Sequence, residues 1–288
     1  MNSAFRDVIF VNDLTLFRAW LLALAVAIIG SNFIEDIGLL GADGLARQAF
    51  APIAAVVGGY IFGLGIVMAG GCSGVLYKQG EGQFAAFIAT VGFAMSLIAS
   101  YHGPLKPVMQ FLKSYKVSIG GGDDAIANPA IWDIIGGPSL KWVIIALIVA
   151  IIIPIVLKGK PFGKGPKKGW AWSLGGLMVG LVIILAWWTS YQLGGRARGL
   201  SFSGPVAEFF MFMFTGDSAA KNDQLFSFLG YGGISWSALY VLGVPIGAYL
   251  SSRGLGEYKL TAPKEVRELL RVYFGGVVMG IGAALAGG

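Results

Sequence analysis

Two stretches decide the reading: Gly58-Gly-Tyr-Ile-Phe-Gly-Leu-Gly-Ile-Val-Met-Ala-Gly-Gly71 and Gly275-Gly-Val-Val-Met-Gly-Ile-Gly-Ala-Ala-Leu-Ala-Gly-Gly288. They align without a gap at an offset of 217 residues, with seven of fourteen positions identical and six of those glycine. At the same offset, the span ending Ile29-Gly30 before the first copy matches Ile246-Gly247 before the second. Chance similarity between glycine-rich helices is the competing reading, and a match that extends into the preceding span argues against it. The loops before the copies differ in charge. Ser31 to Arg47 holds Glu35, Asp36 and Asp43 against one basic residue, whereas Ser251 to Arg271 holds Arg253, Lys259, Lys264, Arg267 and Arg271. Basic loops stay cytoplasmic, so copies that enter from opposite faces of a membrane produce this contrast. The expectation is an inverted, pseudo-symmetric repeat: repeat 1 over about 1–101, a connecting region over about 102–190 and repeat 2 over about 191–288 of one transmembrane domain, 1–288.

Composition supports a membrane setting. Of 288 residues, 56% are hydrophobic and 12% charged, and mean hydropathy is +0.74. Globular chains carry roughly 25% charged residues, so this one has about half the charge a water-facing surface needs. Glycine is in excess, with 45 residues; in lipid it lets helices approach closely and lets a backbone break where a cavity re-satisfies its polar groups. The net charge of +6 fits basic cytoplasmic loops better than a nucleic-acid partner, and none is expected. One cysteine and one histidine rule out an internal disulfide framework and a Cys/His metal cluster. The N-terminal MNSAFRDVIF lacks a secretory-signal pattern.

A hydrocarbon core of about 30 Å takes roughly 20 apolar residues per helical span. Leu16 to Phe33, Gln83 to Tyr101, Leu140 to Leu157 and Trp170 to Tyr191 meet that test, and Ile234 to Leu250 is a fifth. Ala51 to Gly71, Leu200 to Thr215 and Tyr273 to Gly288 are apolar but crowded with Gly and Pro, and read as broken or re-entrant helices. The fold class is therefore all-α: a polytopic transmembrane bundle with breaks at the Gly-Gly-Cys motif and its second copy. The loop from Lys158 to Lys168 carries five lysines and no acid, which places it in the cytoplasm with Ser251 to Arg271. Ser31 to Arg47 and His102 to Ser139 suit the outer face. Trp170, Trp172, Trp187 and Trp188 mark the two ends of one span, as aromatic belts require.

The chemistry concentrates at Ala69-Gly70-Gly71-Cys72-Ser73-Gly74. Three glycines within two residues of Cys72 break the helix, and the N–H groups of the restarting half-helix then point into the break as an anion site. Cysteine adds a polarisable sulfur and a weak S–H donor, suited to a soft sulfur anion. A lone membrane cysteine is more often a small buried apolar residue; its place inside the repeated motif reverses that balance. The substrate-binding residues expected are Cys72, Gly70, Gly71, Ser73, Gly74, Gly287 and Gly288, supported by Lys78, Glu81 and Arg6. Lys78 and Glu81 lie three apart, where a pair on one helical turn either sits solvated at the interface or positions the loop. Arg6 and Asp7 read as a topology anchor, and His102 as an interfacial residue rather than a proton carrier. No Walker A, dinucleotide fingerprint, nucleophile elbow or HExxH occurs, so no cofactor, no metal and no catalytic residue is expected. Gly59/Gly63, Gly70/Gly74, Gly176/Gly180 and Gly276/Gly280 are GxxxG pairs of the kind that packs helices closely.

At Gly63-Leu-Gly65-Ile-Val-Met-Ala-Gly-Gly-Cys72-Ser-Gly and Gly80-Glu81-Gly82 the sequence resembles the YeeE/YedE family of membrane proteins. Ser3-Ala4-Phe5-Arg6-Asp7 and the second copy through Gly280 to Gly288 carry the same resemblance. It implies uptake of thiosulfate or a related sulfur or selenium oxyanion across the cell inner membrane. It further implies an hourglass-shaped pseudo-symmetric bundle whose axial cysteines hand the anion inward through S–H···S contacts, with a small cytoplasmic sulfur-carrier or sulfurtransferase protein as a partner beside the lipid bilayer. Cys72 matches the cysteine of the first glycine motif. Two other readings stay open: a membrane sulfur-relay subunit in which Cys72 becomes a persulfide, and a channel for another small solute. The family pattern has a further cysteine just before Ser3, where this chain reads Met1-Asn2, and one after the second Gly-Gly. The expectation is that the native protein continues past Gly288 with cysteine, a small or polar residue, glycine and another span, and that a segment whose last residues include cysteine precedes Met1.

Overall fold

The computed structural model describes residues 7–41, 44–45, 51–72, 74–116, 130–135, 137–161, 170–218, 225–228 and 231–287. Apart from one short hairpin, the described elements are helical. They are α1 (Thr15–Asp36), α2 (Pro52–Ala69), α3 (Val75–Gly80), α4 (Phe84–Tyr101), α5 (Lys106–Leu112), α6 (Ile131–Ile135), α7 (Lys141–Leu157), α8 (Trp172–Gly194) and α9 (Ser203–Thr215). The hairpin follows, β1 (Leu225–Phe228) antiparallel to β2 (Tyr231–Ser235), and then α10 (Trp236–Leu255) and α11 (Val266–Ala286). Among the described residues, α1, α2, α4, α8 and α11 are long and apolar enough to cross a membrane, and α7 is a shorter apolar helix of 17 residues. The chain is a multi-pass membrane protein.

The three glycine-crowded windows differ from expectation in where they break. Ala51 to Gly71 forms one uninterrupted helix from Pro52, a residue that suits a first helical turn, to Ala69. Leu200 to Thr215 is continuous from Ser203. Tyr273 to Gly288 is the end of a continuous helix that starts at Val266. That start moves Arg267, Glu268 and Arg271 from the basic loop onto the exposed first turns of α11, where long cationic side chains reach past the apolar belt. The expected fifth span, Ile234 to Leu250, falls on α10, which is helical but is not among the helices apolar enough to cross a membrane; Ile234 and Ser235 finish β2, and the Ser235 hydroxyl caps α10 by accepting from the Ala238 N–H.

The chain forms two compact units, each assembled from two separated stretches. One comprises Met1–Arg47 and Ser118–Leu200. In it, Gly176 and Gly180 of α8 lie against Ala19, Ala23 and Val26 of α1, and Gly30 of α1 against Ile184. These rising pairs make α1 and α8 parallel. Helix α7 runs antiparallel to α1: Lys141 at its start bridges Glu35 (2.8 Å) and Asp36 (2.7 Å) at the end of α1, and Ile152 and Val156 join Leu21 and Ala25 in one cluster. The Trp142 indole N–H donates to Asp36. Ahead of α1, Asp13 accepts from the Thr15 hydroxyl and amide, and these bonds hold its carboxyl below the usual carboxylate range.

The other unit comprises Gln48–Val117 and Ser201–Gly288, and α11 is its centre. One face of α11 packs on α2, the other on α4. A Cβ on Gly276 or Gly280 would overlap Ala89, Phe93 or Ser96 of α4, and one on Gly92 of α4 would overlap Tyr273. Phe93, Ala94, Leu97, Met279, Ala283 and Ala284 are buried in the resulting core.

Candidate functional site

Both glycine copies fall on the α2–α11 contact. Gly58 lies against Leu285 and Ala286, and its counterpart Gly275 against Met68 and Ala69. Gly65 lies against Met279, and its counterpart Gly282 against Phe62. Shifting every residue by 217 exchanges the members of each pair, and the two helices run antiparallel. Each ends on a left-handed glycine, Gly70 (φ 73°) and Gly287 (φ 85°), a conformation glycine adopts without steric cost. The GxxxG reading holds for Gly176/Gly180 and Gly276/Gly280 but not for Gly59/Gly63, which meet no neighbouring atom. The contact stripe of α2 is Gly58, Phe62, Gly65 and Ala69, at i, i+4, i+7 and i+11, which turns Gly59 and Gly63 away.

The helix breaks at the cysteine motif. Gly70 and Gly71 both donate to the Ile66 carbonyl, closing α2, and α3 restarts at Val75. Cys72 sits in that gap, half-buried, between Gly71 and Gly74. Its surroundings are fixed by three ties. The Lys78 ammonium donates to the Gly70 carbonyl at 2.9 Å, so it turns back to the end of α2 rather than to Glu81. There it satisfies an orphan carbonyl and sets a cation at the negative end of the helix dipole. The Gln79 amide donates to the Thr90 hydroxyl of α4. Gly80 lies against Pro245, Ala248 and Tyr249 of α10, where a Cβ would overlap the Pro245 carbonyl.

Glu81 contributes its backbone to the site: its carbonyl accepts from the Lys259 N–H, the Gly82 carbonyl accepts from the Thr261 N–H, and the Phe84 N–H donates to the Thr261 carbonyl. Gly82 stands at φ +95° with the Lys259 carbonyl where a Cβ would be. The Gly80-Glu81-Gly82 motif is thus a tight backbone junction between α3, α10 and the segment before α11. Gly70, Gly71, Cys72 and Gly74 gather at the break with Lys78 above them. Gly287 ends α11, near Gly58 on the antiparallel partner and away from the break. Ser73, Gly288 and Arg6 lie outside the described residues. His102 caps the end of α4 and is exposed.

A polar cluster escaped the sequence reading. The Glu208 carboxylate, in the middle of apolar α9, accepts from the hydroxyls of Ser235 (2.7 Å) and Ser237 (2.5 Å) at the start of α10. Ser235 also takes part through its N–H, which donates to Ser218 Oγ, and Ser218 donates onward to the Gly233 carbonyl. The signal was a single acidic residue within Leu200 to Thr215, since ionisable groups inside apolar segments are rare and functional by default.

A protein-family model described as Sulphur transport matches residues 1–288. Among curated relatives, a protein of Spirochaeta thermophila named Thiosulfate transporter TsuA is 30% identical over 292 residues, covering 100% of this chain and 82% of its own length. A protein of the same name from Escherichia coli K12 is 29% identical over 308 residues, covering 100% of this chain and 78% of its own. The Escherichia coli protein named Probable transporter YedE is 33% identical over 111 residues, 38% of this chain and 26% of its own.

Proposed function

The chain belongs to the sulphur transport family, and from that premise we propose that it takes up thiosulfate across the inner (cytoplasmic) membrane through the break at Cys72. The observation that carries this reading is the break itself: a soft sulfur and two flanking glycine turns inside a helix of a chain whose full-length relatives bear the name thiosulfate transporter. Thiosulfate is a dianion with a polarisable terminal sulfur. The thiol of Cys72 donates a weak S–H to that sulfur, while the start of α3 and the Lys78 ammonium favour its charge. Gly70, Gly71 and Gly74 leave room for it at the break, and Ser73 is assigned to the same binding segment by its place in the motif. Gly287, with Gly288 after it in sequence, corresponds to Gly70 and Gly71 in an inverted repeat, a reading supported by the exchange of the α2–α11 contacts under the 217-residue shift. Paired glycine-interrupted helices at corresponding positions are the usual frame of a transport site.

Arg6 anchors the N-terminus on the cytoplasmic side with the lysine loop, and Glu81 holds the junction below the break. Transport, not catalysis, is the activity, and the anion is delivered to a small sulfur-carrier protein in the cytoplasm. Driving a dianion against an inside-negative potential costs about 4.6 kcal/mol per 100 mV, twice the cost of one charge, so uptake is coupled to a second species. The test is uptake of radiolabelled thiosulfate into proteoliposomes by the parent and by Cys72→Ala: saturable uptake that Cys72→Ala abolishes supports the reading, and its absence in the parent contradicts it.

A further inference from the structure

We propose, resting on the transport reading above, that Glu208 is the coupling-proton site: its carboxylate, tied to Ser235 and Ser237, binds and releases one proton per cycle, and α10 carries the change to the Cys72 break. Glu208 is half-buried, in an apolar setting. Val206 and Ala207 beside it are buried in the main core, and Phe209 and Phe210 pack against that core. A charge there is costly unless it is hydrogen-bonded. The donors are at hand: Ser235 and Ser237 are buried, and they bracket the first residue of α10, where helix N–H groups add positive potential.

In the ionised state the carboxylate accepts from both hydroxyls and clamps α9 to the start of α10. Both hydroxyls meet the same carboxylate oxygen, Oε2; protonation removes the charge that strengthens the two bonds, and the clamp loosens. Two arrangements of one contact, chosen by a proton, are what a coupled carrier needs. Among the described residues, the other ionisable groups on the packed elements begin with Asp217, which follows α9 and pairs with Gly233 through its backbone. Helix α4 has only Tyr101, at its end, and β2 has only Tyr231. On α10, the Tyr240 hydroxyl accepts from the Ser201 N–H, and Arg253 sits at the far end between the rings of Tyr249 and Tyr258. Helix α11 carries Arg267, Glu268, Arg271 and Tyr273 in its first two turns.

The route to the substrate is short and contiguous. Helix α10 starts at the Glu208 clamp, and half-way along it Pro245, Ala248 and Tyr249 hold Gly80 at the end of α3. Helix α3 begins three residues after Cys72. Movement of α10 at its start therefore acts on the half-helix that forms one wall of the break. With thiosulfate a dianion, each proton carried inward removes one of the two charges that oppose its entry.

The experiment uses the full chain in proteoliposomes with a pH dye inside. The parent should accumulate labelled thiosulfate about ten-fold more under an inward proton gradient than without one, with interior acidification that requires thiosulfate. Glu208→Gln should keep only a residual flux that no longer depends on pH and brings no acidification. Ser237→Ala, a milder change, removes one donor to the carboxylate and should shift the half-maximal pH of uptake upward. Gradient-driven accumulation and acidification persisting in Glu208→Gln overturn this inference alone. If Glu208→Gln does not fold, an unmoved pH profile in Ser237→Ala overturns it instead. A parent inert towards thiosulfate overturns the substrate reading itself, and this inference with it.

Discussion

The Lys78 ammonium lies 2.9 Å from the carbonyl oxygen of Gly70, the residue that ends α2. This contact folds α3 back over the break and places the positive charge at Gly70, two residues before Cys72 in sequence. It serves both ends of the account, capping a helix that would otherwise end on an unsatisfied carbonyl and lending positive charge to the space an anion enters.

Replacing Lys78 separates those two effects. Lys78→Met should cost less than about 1 kcal/mol of stability, the usual worth of a charge at a helix end. Thiosulfate uptake should nonetheless fall about ten-fold or more, since a cation facing a dianion interacts more strongly than one facing the partial charge of a helix end. Lys78→Arg should restore most of the uptake. Thermal unfolding in detergent and initial uptake rates check the pair, and equal uptake by parent and Lys78→Met would remove Lys78 from the site.

The antiparallel glycine contact predicts matched penalties. A Cβ at Gly58 would stand 2.5 Å from the Ala286 amide, and one at Gly275 would overlap Ala69. Gly58→Val and Gly275→Val should each destabilise by about 2–3 kcal/mol, the range of overpacking, and by similar amounts. Gly59→Ala and Gly63→Ala meet no atom and should be neutral or slightly stabilising by helix propensity. Melting temperatures of the four variants decide it: Gly59→Ala as damaging as Gly58→Val would refute the stripe.

The junction at Gly82 is a sharper case. Any side chain there meets the Lys259 carbonyl at 2.7 Å and must also hold φ at +95°. Gly82→Ala should therefore cost about 2 kcal/mol or more and weaken uptake by shifting α3. Gly243→Ala, on open surface of α10, is the control and should leave both stability and uptake intact.

Sidedness follows from the basic loops. In a Cys72→Ala background, Lys160→Cys should label with an impermeant thiol reagent only after the cells are permeabilised, and Gly38→Cys should label in intact cells. The antiparallel pairing of α1 with α7 puts these positions at opposite ends of the same unit. Labelling of Lys160→Cys from outside would reverse the whole topology.

Much of this was legible in the residues. Hydrophobic length located α1, α4, α7 and α8 to within a few residues, and the cluster of glycines around Cys72 marked the break that separates α2 from α3. Glycine alone did not say whether a helix breaks or packs. Gly58, Gly65, Gly275 and Gly282 were read as signs of interruption, yet they lie in continuous helices and admit a neighbouring backbone. Distinguishing the two needs the partner helix, which sequence spacing does not supply. The start of α11 was missed because Arg267, Glu268 and Arg271 look like loop residues, although exposed helix ends carry charge freely. Glu208 was passed over because its partners, Ser235 and Ser237, lie 27 and 29 residues away and meet it only through the fold.

The central claim is that the sulfur of Cys72 handles the substrate, and Cys72→Ser tests it most directly. Serine keeps the size and a hydrogen-bond donor but replaces a soft sulfur with a hard oxygen. Initial uptake of radiolabelled thiosulfate into proteoliposomes, at matched amounts of inserted protein, should fall by about ten-fold or more in Cys72→Ser, a loss of roughly 1.4 kcal/mol of stabilisation along the path. Uptake at the parental rate by the serine variant would contradict the account and leave Cys72 as packing at a helix break.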